Sequence, residues 1–196
     1  MRSVFPMNKK ITVARFKDLY EKFKTQDFLT SRCTGNEIPF YIFAYEAQLE
    51  YFVSDEIKML EKRLLKDGIS ILNINLYSLC IEILKERKLL DLFIKKEPEF
   101  TKDKLMENLK GALDAETKIG PAIEKKVKDS SKNLLFITGT GLVYPYIRVH
   151  NLLNNLQSRV KDIPVVIFYP GIYTGQSLSL FGKIKAENYY RAFNLA

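Results

Sequence analysis

Hydrophobic positions along this chain follow two rhythms: a period near four, typical of amphipathic helices, and short unbroken apolar runs. Phe16, Leu19, Tyr20 and Phe23 recur at helical spacing and predict a helix over residues 12–25. A polar turn through Ser31 to Glu37, with Gly35-Asn36 inside it, separates that helix from the next apolar run. Ile38 to Ala44 is dense in aromatic and β-branched residues and predicts a first strand, with Pro39 tolerable at its start. Ser54 reads as a helix cap, with Asp55 and Glu56 at the positive end and Ile57, Leu60 and Leu64 as the buried stripe. Gly68 supplies a left-handed stop, and Ile69 to Ile74 follows as a second strand. The length of this β–helix–β unit suits a parallel crossover.

From Leu76 to Asp129 the pattern is helical. One helix runs from Leu76 toward Arg87, and a further apolar segment spans Leu89 to Ile94. Pro98 interrupts the run, Thr101 is a cap for a helix buried through Leu105, Leu109, Ala112 and Leu113, and Pro121 opens another through Ile123 and Val127. The third strand, Leu134 to Ile137, comes only after this insertion. A helix over 145–160, opened by Pro145 and striped by Leu152, Leu153, Leu156 and Val160, then leads to a fourth strand at 165–168. Buried strands alternating with helices predict an α/β fold. The expected sheet is mostly parallel, of about four strands covered by helices on both faces, with a helical insertion between strands two and three.

Composition narrows the class without naming a reaction. With 46% hydrophobic and 28% charged residues, the 196-residue chain is expected to form a single globular domain over 1–196. No apolar run reaches the roughly 18 residues of a membrane span, and the first residues lack a signal-peptide core, so a cytoplasmic protein with no membrane contact is expected. Cys33 and Cys80 lack paired spacing, and Cys80 sits among apolar neighbours as a small core residue. One histidine cannot build a His-rich metal site, and no metal or cofactor is expected. The net charge of +8 suits phosphates or acidic partners, but most lysines interleave with acids as solvated helix faces do.

The candidate chemistry gathers in residues 133–196. Gly139-Thr140-Gly141, ahead of the expected helix, could aim free N–H groups at an anion. The dinucleotide fingerprint would need a third glycine where Tyr144 stands, and no lysine follows as in a phosphate loop. A tight turn requiring small residues is the structural alternative. On the helix, Arg148, Asn151 and Asn155 share one face, with His150 and Asn154 on its neighbour. Asparagine is a poor helix former, so these amides either meet a ligand or partner, or tie down the loop Gly171–Ser179 that carries Gln176. His150 has neither a nucleophile nor an orienting acid evident in the sequence, and Ser177 lacks the nucleophile elbow. The tail mixes Lys183, Lys185 and Arg191 with Tyr189 and Tyr190, which suits stacking on bases, a protein interface, or a segment folded back with Phe181, Tyr190 and Phe193 buried.

Several strings are specific enough to suggest a family. They are Phe-Ile-Thr-Gly-Thr-Gly-Leu-Val-Tyr-Pro (136–145), Arg148 and His150, Leu-Leu-Asn-Asn-Leu (152–156), Tyr-Pro-Gly (169–171), Gly-Gln-Ser-Leu (175–178), Leu-Phe-Gly-Lys (180–183) and Asn-Tyr-Tyr-Arg-Ala-Phe (188–193). Together with Pro39-Phe40-Tyr41 and Asn73 to Tyr77, they resemble the BrxB family, the small component of BREX bacteriophage-exclusion systems. Glu187 departs mildly from the acidic pair expected before Asn188. The resemblance implies a bacterial or archaeal protein encoded beside a methyltransferase, a large ATPase and a PglZ-type phosphatase-like protein. It implies antiviral defence by assembly with those partners, the PglZ-type protein foremost, and no settled enzymatic activity. The expectation is a non-catalytic subunit whose partner surface includes Gly139, Gly141, Arg148, His150, Asn154, Asn155, Gln176, Lys183, Lys185, Tyr189, Tyr190 and Arg191. DNA or RNA contact, and a degenerate nucleotide site, are the alternative readings.

Overall fold

The computed structural model describes residues 9–30, 40–189 and 191–195. The turn expected at Ser31 to Glu37 with Cys33, the strand positions Ile38 and Pro39, and Tyr190 lie outside the described residues. The fold is α/β, as the alternation of helical and apolar runs implies.

Four parallel strands make the centre of the sheet: β1 (Phe40–Tyr45), β2 (Ile71–Asn75), β3 (Leu134–Thr138) and β4 (Val165–Tyr173). Three short strands extend it: β5 (Ser177–Leu180), β6 (Glu187–Asn188) and β7 (Phe193–Asn194). The order is β2-β3-β4-β1-β7, while β5 pairs antiparallel with the far end of β4, and β6 with β5. The parallel set matches the expectation; the added strands come from the chain after residue 169, where loop residues were expected. Strands β1 and β2 are parallel but not neighbours, because β3 and β4 lie between them.

Register divides the side chains between two cores. Phe40, Ile42, Val165, Ile167, Leu135 and Ile137 face helices α4 (Leu76–Glu86), α6 (Lys102–Ala112), α7 (Gly120–Lys128) and α8 (Val149–Leu156). Tyr41, Phe43, Val166, Phe168, Leu134 and Phe136 face α1 (Lys9–Phe23), α2 (Gln26–Leu29) and α3 (Glu50–Lys66). That second face is aromatic: Phe168 lies 5.6 Å from Phe43, 5.1 Å from Phe136 and 6.2 Å from Phe16, ring centre to ring centre. Alternate residues of a strand point to opposite faces, and both faces are covered, so these strands read as continuous apolar runs.

Several expected boundaries move, each for a packing reason. Helix α3 begins at Glu50 rather than behind a Ser54 cap, because Val53 adds one more turn to the buried stripe Ile57, Leu60 and Leu64. Gly68 keeps its left-handed stop at φ +81°. Helix α8 begins at Val149, not at Pro145, and the Tyr144–Pro145 bond is cis. Its stripe is Val149, Leu152, Leu153 and Leu156; Ile147, two residues before Val149, would face solvent in a continuous helix. Breaking the helix at Arg148 lets Ile147 turn inward, where it is 3% exposed. Strand β4 runs on through Pro170 and Gly171 to Tyr173, so the expected Gly171–Ser179 loop is a hairpin. Pro170 falls where β4 exchanges its parallel partners for β5: its carbonyl accepts from the Phe181 N–H at 2.8 Å, and its missing donor costs nothing there.

The insertion between β2 and β3 carries α4, α5 (Leu90–Lys96), α6 and α7, with Thr101 capping α6 and Asn75 capping α4. Leu105 and Leu109 are half-buried rather than core residues, because they line a cavity of about 250 Å³ with Cys80, Leu84, Phe93 and Leu142. Burial pushes the Cys80 thiol up to about 11, leaving almost no thiolate at neutral pH. In a Cys33→Ser variant, alkylation of native Cys80 at pH 7.4 is expected to run about two orders of magnitude slower than that of an exposed thiol. Mass spectrometry of timed samples reads the rate; labelling as fast as a free thiol would show that the groove does not shield the sulfur.

Candidate functional site

The break before α8 and the hairpin after β4 bring most of the candidate residues into one strip. Arg148, in extended conformation at the head of α8, and His150, in its first turn, both reach Glu187 on β6. Arg148 Nη1 bonds Glu187 Oε1, and His150 Nδ1 meets Oε2. That histidine nitrogen is buried without a conventional hydrogen bond, so the carboxylate is the polar group that answers it. Tyr144, Tyr169 and Lys185 complete the small cavity around this cluster. Burial, and then the nearby Glu187 charge, hold the Tyr169 phenol far above its ordinary range, so it stays neutral.

One helical turn further on, Asn154 faces a polar notch of about 310 Å³ with Asn188, Tyr189 and Arg191. Gln157 anchors the tail beside it, donating from Nε2 to the Tyr189 hydroxyl at 3.1 Å and to the Arg191 carbonyl at 3.0 Å. The hydroxyl of Tyr173 donates to the Ala192 carbonyl at 2.7 Å. The tail thus folds back along α8 and ends as β7 beside β1, with Leu195 N–H donating to the Ile42 carbonyl at 2.9 Å. Phe193 remains 55% exposed and Phe181 39%, so the folded-back tail does not bury them.

The remaining candidates take several different places. Tyr189 is 2% exposed, a core residue rather than a contact surface, because the Tyr173 side of the hairpin needs covering. Asn155 donates to the carbonyl of Asn151 in its own helix at 2.9 Å, so its amide neither meets a ligand nor ties a loop. Gln176 is exposed at the hairpin tip, its carbonyl accepting from the Tyr189 N–H. Lys183 and Lys185 are exposed after β5. Gly141 lies under Pro170 and Phe181, where an added Cβ would stand 2.8 Å from the proline ring.

Gly139, at φ +68°, packs against the side chain of Asn75. It belongs to a separate cleft of about 350 Å³ at the carboxyl ends of β1 to β3, bounded by Tyr45, Glu50, Ser54, Lys58, Asn73 and Thr138. The two glycines do not open a helix: turns occupy the chain from Thr140 to Ile147, so no helix dipole reaches them. Thr140 between them is buried, its hydroxyl donating to the Phe168 carbonyl at 2.8 Å. The turn is a packing device.

Glu187 and Asn188 were visible in the sequence but given no site role, and Gln157 was passed over. Glu187 had a legible signal, being the sole acid after Asp162 and therefore the natural partner of Arg148 and His150. Gln157 had none, since its partners come from a tail more than thirty residues away. Among the described residues no three His, Cys, Asp or Glu side chains converge as a metal site would require, and no helix is long and apolar enough to cross a membrane.

Residues 72–195 match the family model for BREX protein BrxB. A BREX protein BrxB of Bacillus cereus is 36% identical over 184 residues, covering 92% of this chain and 95% of its own. A BREX protein BrxB of Escherichia coli is 34% identical over 181 residues, covering 92% and 90%. No solved structure matches significantly. The matched span includes the Arg148–His150–Glu187 cluster, the β4–β5 hairpin and the tail, and the chain is a member of the BrxB family of BREX proteins.

Proposed function

We propose that this protein is a non-catalytic subunit of a BREX antiviral defence complex, assembling with other BREX proteins through the strip along α8 and the tail. The observation that carries this reading is the way the strip spends its reactive groups. Arg148 and His150 are both turned onto Glu187, and the Tyr173 and Tyr189 hydroxyls hold the tail, while Lys183, Lys185 and the amides of Asn154 and Asn188 stay at the surface. Glu187 orients His150 through Nδ1, and the cavity around the pair is lined by Tyr144, Tyr169, Lys185 and aliphatic side chains, with no serine, threonine or cysteine nucleophile among its lining residues. The nucleotide alternative loses its main support with the Gly139–Gly141 turn, which no helix directly adjoins.

Family resemblance points to the PglZ-type phosphatase-like protein as the first partner to test. The tagged protein is expected to retain that partner, in roughly equal amounts, when co-expressed with the BREX proteins of its own organism and purified at moderate salt. Retention of none of them would overturn the assembly reading. Turnover of a substrate by the purified chain, abolished by His150→Ala, would overturn its non-catalytic part.

A further inference from the structure

The charges of the strip are unevenly supplied. Residues 133–196 contain six Lys and Arg (Arg148, Arg159, Lys161, Lys183, Lys185 and Arg191) against two acids, Asp162 and Glu187. That third of the chain holds +4, half of the net +8. Glu187 is already engaged by Arg148 and His150, and Arg159 is paired with Glu124 at 3.0 Å. Among the described residues Lys183 and Lys185 have no ion-pair partner, and the Arg191 guanidinium reaches only Gln157 Oε1, at 3.5 Å.

The polar notch at Asn154 offers one cation and two amides, each able to donate from its NH2 group. The side-chain amides of Asn154 and Asn188 have no hydrogen-bond partner among the described residues, and both stand with Arg191 around the same space of about 310 Å³. A guanidinium offers a planar fork of N–H groups that matches a carboxylate, and such charge-assisted bonds are about twice as strong as neutral ones. Amide donors beside it complete a pocket that accepts an acid. Of the tail tyrosines suited to base stacking, Tyr189 is inside the core and offers no exposed ring to a base. The half-exposed Phe181, two residues before Lys183, adds the apolar contact that protein interfaces use.

From this charge imbalance and this geometry we infer that the strip receives an acidic segment of its protein partner, one Asp or Glu carboxylate seating in the Asn154–Asn188–Arg191 notch and further acids facing Lys183 and Lys185. The inference rests on the assembly reading above and sharpens it.

The test measures the affinity of the purified chain for whichever BREX partner the co-purification retains, at 50 and 300 mM NaCl. Wild-type binding is expected to weaken with salt, and Arg191→Glu and Asn154→Asp are each expected to weaken it roughly tenfold or more. A Lys183→Glu/Lys185→Glu pair should act in the same direction. These side chains are exposed, so unchanged melting temperatures separate lost contact from lost folding. Full affinity in Arg191→Glu and Asn154→Asp would overturn the inference and leave the assembly reading standing; failure of the wild-type chain to retain any partner would remove both. DNA or RNA binding that the same variants abolish, with partner affinity unchanged, would assign the strip to nucleic acid and equally overturn it.

Discussion

Phe168→Ala is expected to cost about 3–5 kcal/mol of stability, the range for removing a fully buried phenylalanine side chain. In a chain of this size each kcal/mol moves the melting temperature by about 2–4 °C, so a fall of roughly 10 °C is anticipated. The reason is position. Phe168 is completely buried in the central strand, and its ring touches three others, Phe16 from α1, Phe43 from β1 and Phe136 from β3. Those neighbours are themselves held by a sheet and a helix, so the cavity cannot collapse cheaply. Thermal and denaturant unfolding of the variant give the number. A shift below 2 °C would mean that the aromatic face is far more adaptable than its packing indicates.

Gly171→Ala adds a single methyl group and is expected to cost about 1–3 kcal/mol, as overpacking of a well-fitted site does. A Cβ at Gly171 would overlap the backbone carbonyl of Ser179 and stand 2.9 Å from the Tyr169 ring. The obstacle is main chain, so no side-chain rotation relieves it and β4 must part from β5. Because β5 carries β6 and therefore Glu187, the same change should loosen the carboxylate from Arg148 and His150. Faster amide exchange at Ser179 and Phe181, whose N–H groups face β4, with β1 and β3 still protected, is the expected signature. A variant that melts within a degree of the parent and exchanges identically would refute the account.

These two residues also mark where sequence reasoning succeeded and where it stopped. Val165 to Phe168 was legible because a strand covered on both faces must be apolar at every position. Its continuation was not, because Pro170-Gly171 is ordinarily a turn signal; only the partner exchange from β1 to β5 makes proline harmless there. The start of α8 was misread for a similar reason. Pro145 satisfies the local rule for a helix start, but burying both Ile147 and Val149 overrides it. At the strip, the cationic and amide residues were legible from their types. The burial of Tyr189 and its bond from Gln157 depend on a tail that returns along α8 from beyond residue 180, a distance that periodicity does not reach.

Strand order has a consequence for synthesis. The aromatic run of β1 leaves the ribosome more than a hundred residues before its partners β4 and β7: Phe40 pairs with Val165 and Tyr41 with Phe193. Such sequence-distant pairing slows folding, since the ends of a long loop must meet before any contact rewards them. Until those partners emerge β2 waits for β3 and β1 for β4, so the nascent chain carries unpaired, sticky edges that invite chaperone holding or prompt capture by a complex already assembling nearby.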